Sequence, residues 1–144
     1  MTDSTDQTYL GIDYGARRIG IAKSDPTGLI ASSLKTLEVK SDKDAVKQIL
    51  ALIEEYRPAG LVIGYPLHDS GDRTPKCDEI DAFVGLLTKD FTGPVYKVDE
   101  RYSSVEAAGI IHAHGQKTGK DKKRIDRLAA TIILQRFLDE RERS

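Results

Sequence analysis

Two carboxylates follow apolar stretches that are typical of buried strands. Asp13 ends the mainly apolar stretch 9–12, and Glu100 stands two positions after the apolar stretch that closes at Val98. The carboxyl ends of parallel strands open at one edge of an α/β sheet, where such sheets bind ligands. We therefore expect Asp13 and Glu100 to meet at that edge. For Asp13, a turn in which its side chain bonds nearby backbone N–H groups is the alternative.

A third carboxylate, Asp126, opens the last predicted helix. The positions on its helical row are Ala130, Ile133 and Phe137, all apolar, which predicts that Asp126 faces the core. A helix cap stabilised by the helix dipole is the alternative.

These three carboxylates predict a metal site. Buried negative charges brought together need either cations or protonation of one acid. Oxygen-only ligands suit Mg²⁺ or Mn²⁺ rather than zinc. Metals held in this way align water with a phosphodiester and stabilise both the attacking and the leaving oxygen.

Basic residues near the third carboxylate predict a phosphate-binding surface. The segment 117–124 holds five basic residues and one acidic residue, although the whole chain has a net charge of −1. A solvated charged loop is the alternative, but a neutral total can conceal a local basic patch. The candidate substrate-binding residues of this segment are Lys117, Lys120, Lys122, Lys123 and Arg124.

Length and composition favour one cytoplasmic domain. The 144 residues include a single cysteine, and no apolar run approaches the roughly 20 residues of a membrane span. We expect a disordered leader at 1–7 that is not a signal peptide, one domain at 8–140 and a charged tail at 141–144.

Residue patterns predict the elements that position the carboxylates. Strands at about 8–13, 18–24 and 29–39 would form an antiparallel meander, with Gly15 taking a positive φ in the first turn. A helix from Ser41, a strand at 61–64, a second helix and a strand at 95–98 follow. Helices at about 103–113 and 123–140 complete an α/β fold. Its mixed five-stranded sheet has a three-strand antiparallel meander and two parallel strands, flanked by helices.

Four segments together resemble one known family. The segments GIDYGARRIGIA (11–22), VIGYPL (62–67), VDERYSSVEA (98–107) and IDRLAATIIL (125–134) stand in the order and spacing of the YqgF/RuvX family. Its members are called pre-16S rRNA nucleases or Holliday junction resolvases. The resemblance covers nearly the whole chain, and it implies a ribonuclease H-like fold and metal-dependent cleavage of nucleic acid.

The same resemblance implies roles for individual residues. Asp13, Glu100 and Asp126 match the acidic triad of the family, and Arg18 and Arg101 match positions that would contact phosphate or orient carboxylates. The expected function is hydrolysis of phosphodiester bonds in processing the 5′ end of pre-16S ribosomal RNA, with Mg²⁺ or Mn²⁺.

Other functions remain open from the sequence. They are Holliday junction resolution, which would need dimer symmetry, and a non-catalytic role in RNA binding or ribosome assembly. An ATP-binding relative of the same superfold is less consistent with 144 residues. The expected partners are structured RNA or branched DNA, bound by a monomer or homodimer.

Overall fold

The protein folds into one sheet with helices on both faces. The computed structural model describes residues 7–68, 70–99 and 119–142. The strands of this part are β1 (Tyr9–Asp13), β2 (Arg18–Ser24), β3 (Ala31–Glu38), β4 (Gly60–Tyr65) and β5 (Val95–Asp99). The helices are α1 (Asp42–Tyr56), α2 (Pro75–Leu87) and α3 (Gly119–Glu142). None of these helices is both long and apolar enough to cross a membrane.

The sheet has the predicted mixed topology. The strand order is β3-β2-β1-β4-β5, in which β1, β2 and β3 form an antiparallel meander and β4 and β5 run parallel to β1. As a result, β1, β4 and β5 end at the same edge, where β2 begins and β3 ends. We call it the carboxyl edge. The predicted α/β fold with a five-stranded sheet is confirmed.

Alternation along β1 separates two apolar layers. Leu10 and Ile12 pack with the large aliphatic and aromatic residues of α1 and α2, such as Ile49 and Phe83. Tyr9, on the opposite face, packs with residues of α3. We call the two sides of the sheet the α1/α2 face and the α3 face.

Helix α1 begins at the predicted cap. The Ser41 hydroxyl accepts a hydrogen bond from the Asp44 N–H at 3.1 Å. The Asp44 carboxylate in turn accepts from the Lys40 N–H at 2.9 Å, one residue before the cap. The first bond satisfies a backbone donor that the first helical turn leaves without a helical partner, and the second holds the chain that leads into the helix.

Two element boundaries differ from the sequence prediction. Strand β3 begins at Ala31 rather than near residue 29, because the Asp25 carboxylate accepts hydrogen bonds from the N–H groups of Leu29 and Ile30. Helix α3 begins at Gly119 and reaches Glu142, so it includes part of the basic segment and of the predicted tail. Lysine and arginine are good helix formers, and the charge of this segment does not prevent helix formation. The helix predicted at 103–113 lies outside the described residues.

The positive φ predicted for Gly15 is wrong. Among the described residues, positive φ occurs at Arg57, Gly28 and Gly71. A Cβ atom added to Gly15 would lie 2.4 Å from the Arg18 carbonyl oxygen. Glycine is therefore required here because the two backbones approach closely across the turn between β1 and β2.

Candidate functional site

Two glycines allow α3 to lie directly on the sheet near the end of β1. A Cβ atom at Gly20 would lie 1.9 Å from the Asp126 carbonyl oxygen, and one at Gly11 would lie 2.8 Å from Leu134 Cβ. At these two points, the α3 backbone and side chains occupy the space that a larger residue would fill. The part of α3 around Asp126 is therefore fixed over β2 at the carboxyl edge.

This contact brings Asp13 and Asp126 to one place. Asp13 is the direct cross-strand partner of Gly20 in the β1–β2 pairing, which sets their Cα atoms about 5 Å apart. Directly opposed residues project to the same face, so Asp13 shares the α3 face with the position that Asp126 covers. Asp13 is buried, with 8% of its surface exposed. Asp13 therefore lies beside Gly20 and the Asp126 backbone lies over Gly20, both on the α3 face.

Asp126 is held by an arginine from the start of β2. The Arg18 Nε atom donates to Asp126 Oδ2 at 2.7 Å, and the exposed side-chain fractions are 38% and 18%. Below Asp126 on the same helical row, Ala130 and Ile133 are buried, as their spacing predicted. Arg18 thus orients one carboxylate and neutralises part of the negative charge that gathers at the edge.

The third predicted carboxylate, Glu100, lies outside the described residues. Strand β5 pairs in parallel with β4 through Tyr65 and Asp99, so the chain leaves β5 at the carboxyl edge. Within residues 7–68, 70–99 and 119–142, no group of three or more His, Cys, Asp or Glu residues could hold a metal ion.

The described basic residues of the predicted segment lie on the first turns of α3. The Lys123 Nζ atom pairs with Glu38 Oε2 at 2.7 Å, and the Thr36 hydroxyl donates to the Lys123 carbonyl at 2.7 Å. The hydrogen bond from Lys123 is the main cause of the lowered pKa of Glu38. Lys122 and Arg124 are exposed. Lys120 belongs to α3, but its side chain, like Lys117 and Arg101, lies outside the described part.

A groove of about 940 Å³ lies between this part of α3 and the sheet. We call it the basic groove. Its lining residues are Arg17, Arg18, Glu38, Val39, Lys40, Lys122 and Lys123.

Arg17 and Lys40 were not among the site residues predicted from the sequence. They meet because β2 and β3 are antiparallel and Arg18 pairs with Glu38, which puts the start of one strand beside the end of the other. Both residues could have been found from the sequence if the register between the second and third predicted strands had been assigned.

A second polar cluster occupies the other side of the sheet. The Tyr65 hydroxyl donates to Asp81 Oδ2 at 3.0 Å, and the Lys97 Nζ atom donates to Asp81 Oδ1 at 2.7 Å. Arg73 also binds Asp81, at 2.9 Å, and contacts Asp78. The Lys97 hydrogen bond is the largest of the effects that lower the pKa of Asp81 to about 2. This cluster belongs to the α1/α2 face, and Asp13 and Asp126 are not part of it.

Known proteins resemble the chain in both sequence and fold. The sequence model of the RuvX family, described as Holliday junction resolvase, matches residues 7–140. A protein of Chloroflexus aurantiacus named "Putative pre-16S rRNA nuclease" is 39% identical over 136 residues, covering 94% of this chain and 89% of that protein.

Two solved structures of resolvases share the fold. One is T. thermophilus RuvC in complex with a Holliday junction substrate, with a TM-score of 0.55, 16% identity and coverage of 94% and 96% of the two chains. The other is the fowlpox virus resolvase in complex with Holliday junction DNA, with a TM-score of 0.56, 12% identity and coverage of 93% and 98%. These structures confirm the fold expected from the sequence, a ribonuclease H-like domain.

Proposed function

Because the chain belongs to the RuvX family, a family of nucleases, we propose that it is a metal-dependent nuclease that processes the 5′ end of pre-16S ribosomal RNA. The family resemblance and the expected class of enzyme, a hydrolase acting on phosphodiester bonds, are both confirmed. The choice of RNA follows the name of the Chloroflexus aurantiacus relative. The observation that carries the proposal is the meeting of Asp13 and Asp126 at Gly20 on the carboxyl edge.

The described donors fit a hard divalent cation. Asp13 is buried and Asp126 is mostly buried, and both offer only oxygen ligands, which suit Mg²⁺ or Mn²⁺. In this proposal Asp13, Asp126 and Glu100 hold the metal and are the catalytic carboxylates. The bound metal would supply an activated water and stabilise the charge that develops on the phosphate oxygens.

The cations around the carboxylates have two roles in this proposal. Arg18, which binds Asp126 at 2.7 Å, keeps that carboxylate oriented toward the edge. The other basic residues bind phosphates of the substrate as charged hydrogen-bond donors. They are Arg101, Lys117, Lys120, Lys122, Lys123 and Arg124.

A second candidate substrate is a Holliday junction. The description of the matching family model favours it. Resolution of a junction needs two symmetric cuts and so a homodimer, whereas trimming an RNA end needs only a monomer. In either case we propose that the protein acts on nucleic acid in the cytoplasm.

A cleavage assay separates the two substrates. Purified protein is incubated with Mg²⁺ or Mn²⁺ and either a precursor RNA that carries the 5′ extension of 16S rRNA or a four-way DNA junction. We expect metal-dependent trimming of the RNA to be faster than cleavage of the junction. Paired symmetric cuts in the junction, with the RNA left intact, would instead assign the resolvase function. If neither substrate is cut with either metal, the nuclease proposal fails.

Replacing Asp126 tests the metal-binding role directly. Asn keeps the shape of Asp and an oxygen that can accept from Arg18, but it loses the anionic charge that attracts a cation. We expect Asp126→Asn to lower cleavage by at least roughly 10²-fold. Loss of the partly exposed pair with Arg18 should change the free energy of unfolding by about 1 kcal/mol or less. Cleavage and urea denaturation are measured on the same preparation.

Asp139→Asn is the matched control, because Asp139 lies on the same helix but is exposed and bonds only Gln135 among the described contacts. Thirteen residues separate it from Asp126, about 20 Å along a helix. Its cleavage rate should equal that of the wild type. A folded Asp126→Asn protein with full activity would leave the structural pair with Arg18 as the role of Asp126, since Asp126 lies too far inside α3 to cap it.

A further inference from the structure

The basic groove leads away from the candidate site toward the edge strand β3. Arg18 belongs to both, because it lines the groove and binds Asp126. The remaining lining residues come from the turn before β2, the end of β3 and the first turns of α3. A ligand that passes the carboxylates on this side therefore enters the groove directly.

Most of the positive charge in the groove is available to a ligand. Five of its seven lining residues are basic and one is acidic. The acidic residue, Glu38, is already paired with Lys123. Arg17, Lys40 and Lys122 are exposed and make no ion pair with any described residue. Such an excess of unpaired cations in a concave surface attracts and concentrates an anionic ligand.

Hydrogen bonds to two backbone carbonyls join the segments that line the groove. The Val39 N–H donates to the Arg17 carbonyl at 2.9 Å, which joins the two sides of the β2–β3 end. The Thr36 hydroxyl donates to the Lys123 carbonyl at 2.7 Å, which attaches the start of α3 to β3. These two bonds tie together the segments that carry Arg17, Lys40 and Lys123.

The chemistry of the lining selects phosphate rather than bases. Among the described lining residues there is no aromatic ring on which a base could stack and no amide that could read a base edge. Lysine and arginine contact phosphate oxygens and position the nucleic acid without reading its sequence.

We infer that the basic groove binds the sugar–phosphate backbone of the substrate strand on the β3 side of the cleaved bond, with Arg17 and Lys40 as phosphate contacts. The inference rests on the proposed function, because it describes where the substrate strand runs once it has passed the proposed catalytic carboxylates. Selectivity for one sequence or structure must then come from residues outside the groove.

The test is a binding assay without divalent metal, so that it does not depend on cleavage. Fluorescence anisotropy measures the affinity of labelled oligouridine and oligoadenosine RNA over about 0.05–0.3 M KCl. For Arg17→Ala/Lys40→Ala we expect the slope of log K against log salt to fall by about 1.4, since each single-strand phosphate contact contributes about 0.7. Affinity at about 0.1 M KCl should fall roughly tenfold, equally for both RNAs.

Lys43→Ala/Lys47→Ala is the matched control. It removes the same charge from exposed positions on α1 that do not line the basic groove. The salt slope should remain that of the wild type. Because all four substituted side chains are exposed, both double variants should melt like the wild type, which is checked by circular dichroism.

Three results would overturn the inference. They are equal losses in the two double variants, a loss confined to one RNA, and no RNA binding by the wild type. Failure of the proposed function is distinguishable, since a protein that cuts no substrate can still show the predicted binding difference. Conversely, if the wild type is an active nuclease and the Arg17→Ala/Lys40→Ala variant binds RNA normally, phosphate binding by the groove is refuted and the proposed function is not.

Discussion

The two faces of the sheet differ in the size of the residues that cover them. On the α1/α2 face, large side chains such as Ile12, Ile49 and Phe83 fill the space between sheet and helices. On the α3 face, Gly11 and Gly20 let the helix touch the sheet. The first arrangement buries much apolar area and so stabilises the fold. The second leaves no room between the α3 backbone and the sheet at Gly20, which fixes the position of that backbone as a geometry-dependent site requires.

The polar groups of the two faces also differ. On the α1/α2 face, Asp81 is surrounded by Tyr65, Arg73 and Lys97, so its charge is satisfied within the fold. On the α3 face, Asp126 lies beside a groove in which three of the five cations make no ion pair with any described residue. Charge that the fold itself does not use is available for a ligand, and this difference supports the proposal that the substrate binds on the α3 face.

Filling the contact between Gly20 and α3 should affect both stability and cleavage. In Gly20→Ala, the new methyl group would overlap the Asp126 carbonyl, 1.9 Å away. Overpacking against backbone should lower the free energy of unfolding by about 3 kcal/mol, and displacement of Asp126 should also reduce cleavage. Urea denaturation and the cleavage rate per folded molecule measure the two effects.

Gly85→Ala is the control for this substitution. Gly85 is an exposed residue of α2, and a Cβ atom there meets nothing within 4 Å. Alanine in a helix should stabilise the protein by about 0.5–1 kcal/mol. If Gly20→Ala behaved like Gly85→Ala, close contact would not be what positions Asp126.

A cavity on the α1/α2 face should affect stability without affecting chemistry. Ile49 is fully buried on that face, and Ile49→Ala should lower the free energy of unfolding by about 2–5 kcal/mol. The folded fraction should cleave at the wild-type rate, which is measured below the onset of melting. If the cleavage rate fell as far as in Gly20→Ala, the two faces would not have separate roles in stability and in cleavage.

A smaller effect is expected at Tyr14, which joins the turn after Asp13 to the first turn of α1. Its hydroxyl donates to Asp42 Oδ1 at 2.6 Å. Burial is the main cause that raises the pKa of Tyr14, and the hydrogen bond to Asp42 raises it further. Tyr14→Phe should lower the free energy of unfolding by about 1.5 kcal/mol at neutral pH.

The raised pKa of Tyr14 gives this prediction a pH dependence. The folded protein favours neutral Tyr14, so this stabilisation is complete below the unfolded pKa near 10 and is lost as pH rises above it. Urea denaturation from about pH 7 to about pH 11 should therefore show a shallower alkaline loss in Tyr14→Phe than in the wild type. Parallel curves would mean that Tyr14 ionises equally in the folded and unfolded protein.

Local patterns in the sequence predicted most of the elements. The apolar alternation of β1 and β2, the cap at Ser41 and the helical spacing before Pro58 each depend on residues near one another in the chain, so they can be read directly. Boundaries were less accurate where a side chain acted on the backbone, as Asp25 does on Leu29 and Ile30.

The candidate site was predicted in part, for a related reason. The sequence by itself determined which carboxylates follow strands and which one faces the core, because strand ends and helical rows are local properties. Only the tertiary structure decided that the Asp126 backbone lies against Gly20, the cross-strand partner of Asp13. It also decided that Arg18 binds Asp126 and that Arg17 and Lys40 line one groove. Those contacts depend on strand register and on how closely α3 approaches the sheet, which join residues about a hundred positions apart.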